Sequence, residues 1–325
     1  MSEPVSTVIT ALISPTQERA SAGLMGAGQR LSETVGAEHV VVACGPEDSE
    51  SASGLAHGAD RVLLVRSPAL VRDRQEVWLQ CLTRMGSELN PAAIVLGNDA
   101  LSQEITPRLA HRLGGASIGD AQTLTAEEGH ISITRSVYGG KAMAKVKLQG
   151  TPAVVWVRAP SMDPARGRAT PGQIEEWDFA TEPEMKIQLL ETQMDAGEGD
   201  RLEDARIIVS GGRGLGGPEP FEKLKELAKV LKGQTAASRA ACDLGWAPHS
   251  WQVGQTGKKV APQLYLASGI SGASQHIMGI ADSKAIAAIN TDPNAPIFKH
   301  CQFGLVEDFH QVIGPLQEKL AELLA

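Results

Sequence analysis

The sequence is poor in cysteine and in aromatic residues. Its four cysteines, Cys44, Cys81, Cys242 and Cys301, form no CxxC pair, so their spacing predicts neither a metal site nor a disulfide framework. Reduced thiols, as in a cytoplasmic protein, are the simplest expectation. Aromatic residues make up only 4% of the chain. The core must therefore be built from aliphatic side chains, as in buried parallel strands.

Long apolar runs and an excess of positive charge are also missing. No stretch approaches the ~20 apolar residues that span a bilayer, and the amino terminus lacks the basic and apolar segments of a secretory signal. We therefore expect a cytoplasmic protein that does not insert into membranes. The formal net charge is −8, which disfavours nucleic acid as a partner.

The 325 residues suggest two domains. In the first half, short apolar runs alternate with amphipathic stretches, which predicts a parallel α/β sheet. The predicted strands are 8–13, 39–43, 61–65, 92–96 and 153–157, the helices are 17–35, 68–89 and 103–113, and a hairpin pairs 130–138 with 141–148 across Gly139-Gly140. Prolines followed by acidic residues in 159–203 indicate a connector. We predict an amino-terminal domain at 1–200, including this connector, and a second domain at 204–325.

A glycine-rich loop opens the second domain. It lies between a predicted strand at 206–210 and a predicted helix at 221–231, and Gly212, Gly214 and Gly217 satisfy GxGxxG. Such glycines allow the backbone to approach a pyrophosphate, although a turn without a ligand has the same pattern. An NAD site would also have an acidic residue about 20 positions on, at the end of a second strand. Residues 237–243 do not indicate a clear strand end.

An ordered series of motifs follows. It includes Ser238-Arg-Ala240, Asp243-Leu-Gly-Trp246, Gln252-Val-Gly-Gln-Thr-Gly257, Gly269-Ile-Ser-Gly-Ala-Ser-Gln-His276 and Asp292-Pro-Asn-Ala-Pro-Ile-Phe298. Residues 203–325 thereby resemble the FAD-binding domain of electron transfer flavoprotein alpha subunits. A thinner resemblance continues upstream at 110–114, 118–120 and 135–144. One departure is His300-Cys-Gln302, where the family usually has Ala-Asp-Tyr.

The resemblance implies a set of cofactor contacts. Arg239 would lie over the flavin ring, Thr256 would hydrogen-bond near N5, and His276 would approach O2, so these three would adjust the redox properties of the ring. The full set of expected FAD contacts is Arg213, Ser238, Arg239, Gln252, Val253, Gly254, Gln255, Thr256, Gly269, Ser271, Gly272, Ala273, Ser274, Gln275, His276, Asn290, Asp308 and Phe309. By contrast, His249, His300 and His310 are expected to be solvated or packing residues, and Trp246 and Trp251 to pack.

The resemblance also implies a fold and a function. The fold would be α/β, with a Rossmann-like domain of the nucleotide-hydrolase type that contacts a beta subunit and a doubly wound parallel-sheet domain that binds FAD. The flavin would accept electrons from dehydrogenases of the acyl-CoA or N-methyl amine type, as in fatty acid β-oxidation, and pass them to a quinone oxidoreductase. The beta subunit would carry AMP, and the chain would turn over no substrate of its own.

Three alternatives stay open from the sequence. The glycine motif alone fits a free-standing NAD-dependent oxidoreductase, and a nucleotide-binding protein without redox activity would show similar loops. Within the family, a flavin-bifurcating variant would carry a second FAD in the beta subunit in place of AMP.

Overall fold

The computed structural model describes most of the chain. The described residues are 6–13, 18–44, 49–67, 70, 74–127, 129–138, 142–179, 190–191 and 202–324. The chain divides into two compact units, residues 1–137 with 143–193, and residues 138–142 with 194–325. The predicted boundary at 200–204 stays a prediction, since residues 192–201 lie outside the described part. Within the described residues, no helix combines the length and apolar character that a membrane crossing needs.

The amino-terminal unit is built around a seven-stranded parallel sheet with the order β10-β3-β2-β1-β4-β9-β5. Its central strands are fully buried, as in β1, because helices cover both faces. Its elements are β1 Thr7–Leu12, α1 Glu18–Val35, β2 Glu38–Cys44, α2 Ser49–Ala56, β3 Arg61–Arg66, α3 Gln75–Leu89, β4 Ala93–Leu96, α4 Ala100–Arg112, β5 Ala116–Ala121, β6 Thr123–Glu127, β7 His130–Val137, β8 Ala142–Lys147, β9 Ala153–Val157 and β10 Gln173–Asp178.

Two predicted helix starts in this unit were wrong. The helix predicted from residue 68 begins at Gln75, because Arg74 has the non-helical dihedrals φ −108° and ψ 77°. The helix predicted from residue 103 begins at Ala100, because the Asp99 carboxylate accepts the backbone N–H of Ser102 at 3.0 Å and caps the helix. Both errors concern element boundaries rather than the existence of an element.

The predicted hairpin belongs to a larger sheet. Strands β7 and β8 are neighbours, but β6 adds a third strand that pairs with β7 in antiparallel register. The predicted glycine turn at 139–140 lies outside the described residues. The sequence prediction missed β6 because its alternation is short and mostly exposed.

The predicted connector contains an edge strand. Strand β10 pairs in parallel with β3 and forms one edge of the sheet, a strand that was not among the predicted ones. Its sequence is largely exposed and acidic, which hides the strand from hydrophobic patterning. Trp177 anchors it by stacking on Phe179 and by lying under the Arg84 guanidinium, 4.9 Å from the ring centroid.

The carboxyl-terminal unit has a six-stranded parallel sheet with the order β13-β12-β11-β14-β15-β16. The chain starts in the middle of this sheet and winds outward in both directions, which confirms the predicted doubly wound α/β class. Two aliphatic clusters cover its faces. The elements are β11 Ile207–Gly211, α5 Pro220–Val230, β12 Gln234–Ser238, α6 Arg239–Asp243, β13 Gln252–Val253, β14 Leu264–Ser268, α7 Ser274–Ile280, β15 Ala285–Asn290, β16 Phe303–Val306 and α8 Phe309–Leu324.

The structure contains a strand end within residues 237–243, where the sequence did not indicate a clear one. A strand does end here, at Ser238, but the residue that follows it is Arg239. The acidic residue that holds the ribose in an NAD site is therefore absent from this strand end.

Candidate functional site

The sheet of the carboxyl-terminal unit creates a cavity where its winding reverses between β11 and β14. In open parallel sheets, ligands bind at this switch point, beyond the carboxyl ends of the strands. The cavity has a volume of about 660 Å³, within the usual range of roughly 300–1,000 Å³ for ligand pockets. Its walls come from the carboxyl ends of β12, β13 and β15 and from the segments that follow β11, β12, β13 and β14.

Most of the expected cofactor residues meet in this cavity. The structure thus brings together residues that are up to 77 positions apart in sequence, from Arg213 to Asn290. The expected residues that line it are Arg213, Ser238, Arg239, Gln252, Val253, Gly254, Gln255, Thr256, Gly269, Ser271, Ala273, Gln275, His276 and Asn290.

Four expected residues do not line the cavity wall. Gly272 lies in the loop after β14 with φ +81°, and an added Cβ would meet the backbone of Ile297. Ser274 begins α7, where its hydroxyl contacts Gln275. Asp308 accepts the N–H of His310 at 2.8 Å, and Phe309 is buried in the core.

Four residues that were not among the expected FAD contacts also line the cavity, namely Gly214, Ala240, Asp243 and Ile270. Gly214 belongs to the glycine motif, but it packs against another loop of the protein. The N–H of Gly214 donates to the carbonyl of Gly269 at 2.9 Å, and a Cβ at Gly212 or Gly214 would strike that same residue. The glycines therefore allow two loops at the switch point to touch.

The loop after β13 is held against α7. The N–H of Gln255 donates to the carbonyl of Gln275 at 2.7 Å. Gly254 has φ +149°, and a Cβ on Gly279 would lie 2.5 Å from the nitrogen of Gly254. Glycine at these two places permits a backbone approach that a larger residue would block.

Three charged side chains line the cavity. Arg213 and Arg239 are permanent cations, and Asp243 is the only carboxylate among the described residues that line the cavity. Arg239 Nε lies 3.4 Å from Asp243 Oδ2, and the Arg239 side chain is 67% exposed. The excess of positive charge favours an anionic ligand such as a phosphate ester.

A buried polar pair lies beneath the cavity. The hydroxyl of Tyr265 and Nε2 of His276 are 3.0 Å apart, and both side chains are buried. Burial lowers the pKa of His276 to about 4, against a weak opposing contact with the Val253 backbone. His276 is therefore neutral at pH 7. Burial raises the pKa of Tyr265, and the Ser210 hydroxyl opposes that only in part.

His276 thus reaches the cavity wall with both ring nitrogens turned inward. Nε2 faces Tyr265, and Nδ1 is buried without a hydrogen bond of good geometry among the described residues. Tyr265 was not among the predicted site residues, because its place in an apolar strand is typical of an ordinary core residue. A polar hydroxyl inside an otherwise aliphatic strand was the available signal, because a buried tyrosine hydroxyl usually has a partner.

Several neighbouring residues have structural contacts. The amide of Asn290 donates to the carbonyl of Ile270 at 3.0 Å and so fixes the loop after β14. In the divergent segment, the Gln302 side chain accepts the N–H of Ile286 at 2.7 Å, which anchors the start of β15. Trp246 and Trp251 pack against the core cluster that includes Phe309, in keeping with their expected role.

Both halves of the chain match known family models. Residues 16–182 match the electron transfer flavoprotein domain, and residues 201–281 match the electron transfer flavoprotein FAD-binding domain. The second match contains the glycine loop and most of the cavity walls.

Similar proteins match the chain over nearly its whole length. The electron transfer flavoprotein subunit alpha of Thermoanaerobacterium thermosaccharolyticum is 37% identical over 305 residues, which cover 92% of each chain. The protein of the same name from Bacillus subtilis is 36% identical over 88% of each chain. Protein FixB of Clostridium saccharobutylicum is 33% identical over 95% of this chain and 93% of its own.

Proposed function

Because the chain belongs to the electron transfer flavoprotein alpha-subunit family, we propose that it binds FAD in the switch-point cavity and serves as the alpha subunit of an electron carrier. The observation that carries this proposal is the cavity itself. It gathers most of the residues that the family resemblance implies at the carboxyl ends of five neighbouring strands. The bound flavin would supply the electron-accepting chemistry, and the chain would turn over no substrate of its own.

The residues present fit this cofactor. A dinucleotide carries a negatively charged pyrophosphate, and the two arginines in the cavity outnumber the single carboxylate. The pyrophosphate of the dinucleotide must also come close to the protein backbone, and the loops that contain Gly254 and Gly269 have no side chain at these positions. The lining also includes the apolar side chains of Val253 and Ile270, against which an aromatic ring can pack.

Each side chain has a proposed role toward the ring. Arg239 would place a positive charge near it, which stabilises added negative charge. Thr256 would offer a hydroxyl hydrogen. His276, which is neutral at pH 7, would contribute through the position of its ring rather than through a charge.

The assembly and its redox partners are inferred from the family. We propose a one-to-one heterodimer with a beta subunit that carries AMP and contacts the amino-terminal domain. Electrons would come from dehydrogenases of the acyl-CoA or N-methyl amine type and leave to a quinone oxidoreductase. The high exposure of the Arg239 side chain supports an opening at which a partner protein can reach the cofactor.

Co-expression with the beta subunit provides the test. The purified heterodimer is expected to be yellow and to release one FAD and one AMP on denaturation, whereas the chain alone should retain less flavin. Two FAD per heterodimer would instead indicate the bifurcating variant. NAD binding without flavin would support the dehydrogenase alternative, and retained FAD that dithionite cannot reduce would argue for a non-redox role.

A charge-reversal pair locates the cofactor. Arg213→Glu places a negative charge in the cavity and should reduce the FAD content at least tenfold. Lys223→Glu makes the same change on the exposed surface of α5, outside the cavity, and should leave the FAD content unchanged. Equal FAD content in both variants would place the cofactor elsewhere.

A further inference from the structure

The loop that follows β13 is closed by its own backbone. The N–H of Lys258 donates to the carbonyl of Gln252 at 2.8 Å, and the N–H of Gly254 donates to the carbonyl of Lys258 at 3.1 Å. A third bond joins the N–H of Gly257 to the carbonyl of Gly254 at 3.2 Å. These bonds fix where Thr256 lies relative to Gln252.

The side chain of Gln252 lies against this loop and is 7% exposed. Its Nε2 donates to the hydroxyl oxygen of Thr256 at 3.0 Å, and its Oε1 lies 3.4 Å from Nδ1 of His249. Gly257 leaves room for this arrangement, because a Cβ there would lie 2.9 Å from Cγ of Gln252. Both polar ends of the Gln252 amide therefore face protein atoms.

The direction of the hydrogen bond determines what Thr256 can do. A threonine hydroxyl has one hydrogen to donate and two lone pairs that accept. Since the Gln252 amide occupies a lone pair, the hydroxyl hydrogen stays available for an acceptor in the cavity. A buried or half-buried amide that is held in this way also loses less entropy when a ligand binds.

We propose that Gln252 is a positioning residue, which holds the Thr256 hydroxyl as a hydrogen-bond donor toward the flavin ring instead of contacting the cofactor itself. This inference rests on the proposed function for the identity of the ligand. A fixed hydroxyl donor stabilises the form of the flavin in which the facing ring nitrogen or carbonyl can accept a hydrogen bond. It destabilises the form in which that nitrogen carries a proton. Gln252 would thus set the redox behaviour of the cofactor through Thr256.

The first test needs no cofactor. In the full-length chain, the side-chain amide hydrogens of Gln252 should exchange slowly in an NMR experiment. Thr256→Ser, which keeps the hydroxyl, should preserve the protection. Thr256→Val, which keeps the shape but removes the acceptor, should abolish it. Exchange that is equally fast in the wild type and in Thr256→Val would overturn the proposed hydrogen bond.

The second test measures the first one-electron reduction potential of the FAD-loaded protein. Gln252→Glu replaces the donor by an acceptor, so that the Thr256 hydroxyl turns toward the carboxylate. Gln255→Glu is the matched control, since it adds the same charge in the same loop on an exposed side chain. We expect Gln252→Glu to lower the potential by about 59 mV more than Gln255→Glu, the one-electron equivalent of a tenfold change.

Thr256→Val then separates positioning from charge. In that background, Gln252→Glu should lower the potential beyond Gln255→Glu by less than it does when Thr256 is present, because no hydroxyl remains to be reoriented and only the charges of the buried and the exposed carboxylate still act. An extra shift of undiminished size in the Thr256→Val background would overturn the positioning role. Failure of the wild type to bind FAD would sink the proposed function, whereas the amide exchange would still decide whether Gln252 holds Thr256.

Discussion

Acidification from pH 7 to pH 5 should destabilise both units, because each buries a neutral histidine. His39 in β2 is fully buried, with Nε2 2.8 Å from the Thr10 hydroxyl and Nδ1 3.0 Å from the carbonyl of Gly58. His276 lies against Tyr265. Burial is the largest cause that lowers the pKa of each histidine from 6.5 to about 4.

The sign and size follow from proton linkage. Near pH 5 the unfolded chain binds a proton at each histidine while the folded chain does not, so the free energy of unfolding falls with decreasing pH. The contribution is fully present above pH 6.5 and is lost as the pH falls toward 4. Between pH 7 and pH 5, each histidine should cost roughly 2 kcal/mol.

Urea denaturation at pH 7, 6 and 5 measures this dependence. In the wild type, the free energy of unfolding of the amino-terminal unit should fall between pH 7 and pH 5, and His39→Phe should make that fall smaller by roughly 2 kcal/mol. This holds whatever the effect of the substitution on stability at pH 7. His276→Phe should do the same for the other unit. In the wild type, the NMR signals of these two rings should not titrate above pH 5. Titration near pH 6.5, or an unchanged pH dependence in both variants, would refute the reasoning.

Three further outcomes are expected at the site. Gly272→Ala and Gly216→Ala both place alanine at a positive φ, +81° and +83°, but only the Cβ at position 272 would meet backbone atoms. In an FAD titration, Gly272→Ala should therefore lose at least tenfold more affinity than Gly216→Ala, and equal losses would contradict this. Arg239→Ala should lower the first reduction potential by about 60 mV, which is the lower end for a charge-assisted contact because the side chain is mostly exposed. Arg239→Lys should give a potential between those of the wild type and Arg239→Ala. If spectroelectrochemistry shows an unchanged potential for Arg239→Ala, Arg239 does not lie near the ring. Tyr265→Phe should cost about 1–3 kcal/mol in urea denaturation, since it leaves Nε2 of His276 unpaired, and unchanged stability would show that the bond is not formed.

Local patterns identified most of the elements that build the site. The strand at 206–210, the glycine loop and the helix after it were all predicted, because apolar runs and glycines act over a few neighbouring residues. The motifs at 252–257 and 269–276 also pointed to loops that approach a ligand. Strand β10 was missed because an exposed acidic edge strand lacks an apolar pattern.

The sequence by itself determined the α/β class, the family and the loops that carry the candidate contacts, since these depend on contiguous residues. Only the tertiary structure decided that five strand ends meet in one cavity. It also placed Tyr265 beneath His276 and joined the side chains of Gln252 and Thr256. These features depend on strand order, loop closure and burial, which arise when distant segments pack together and which no local spacing specifies.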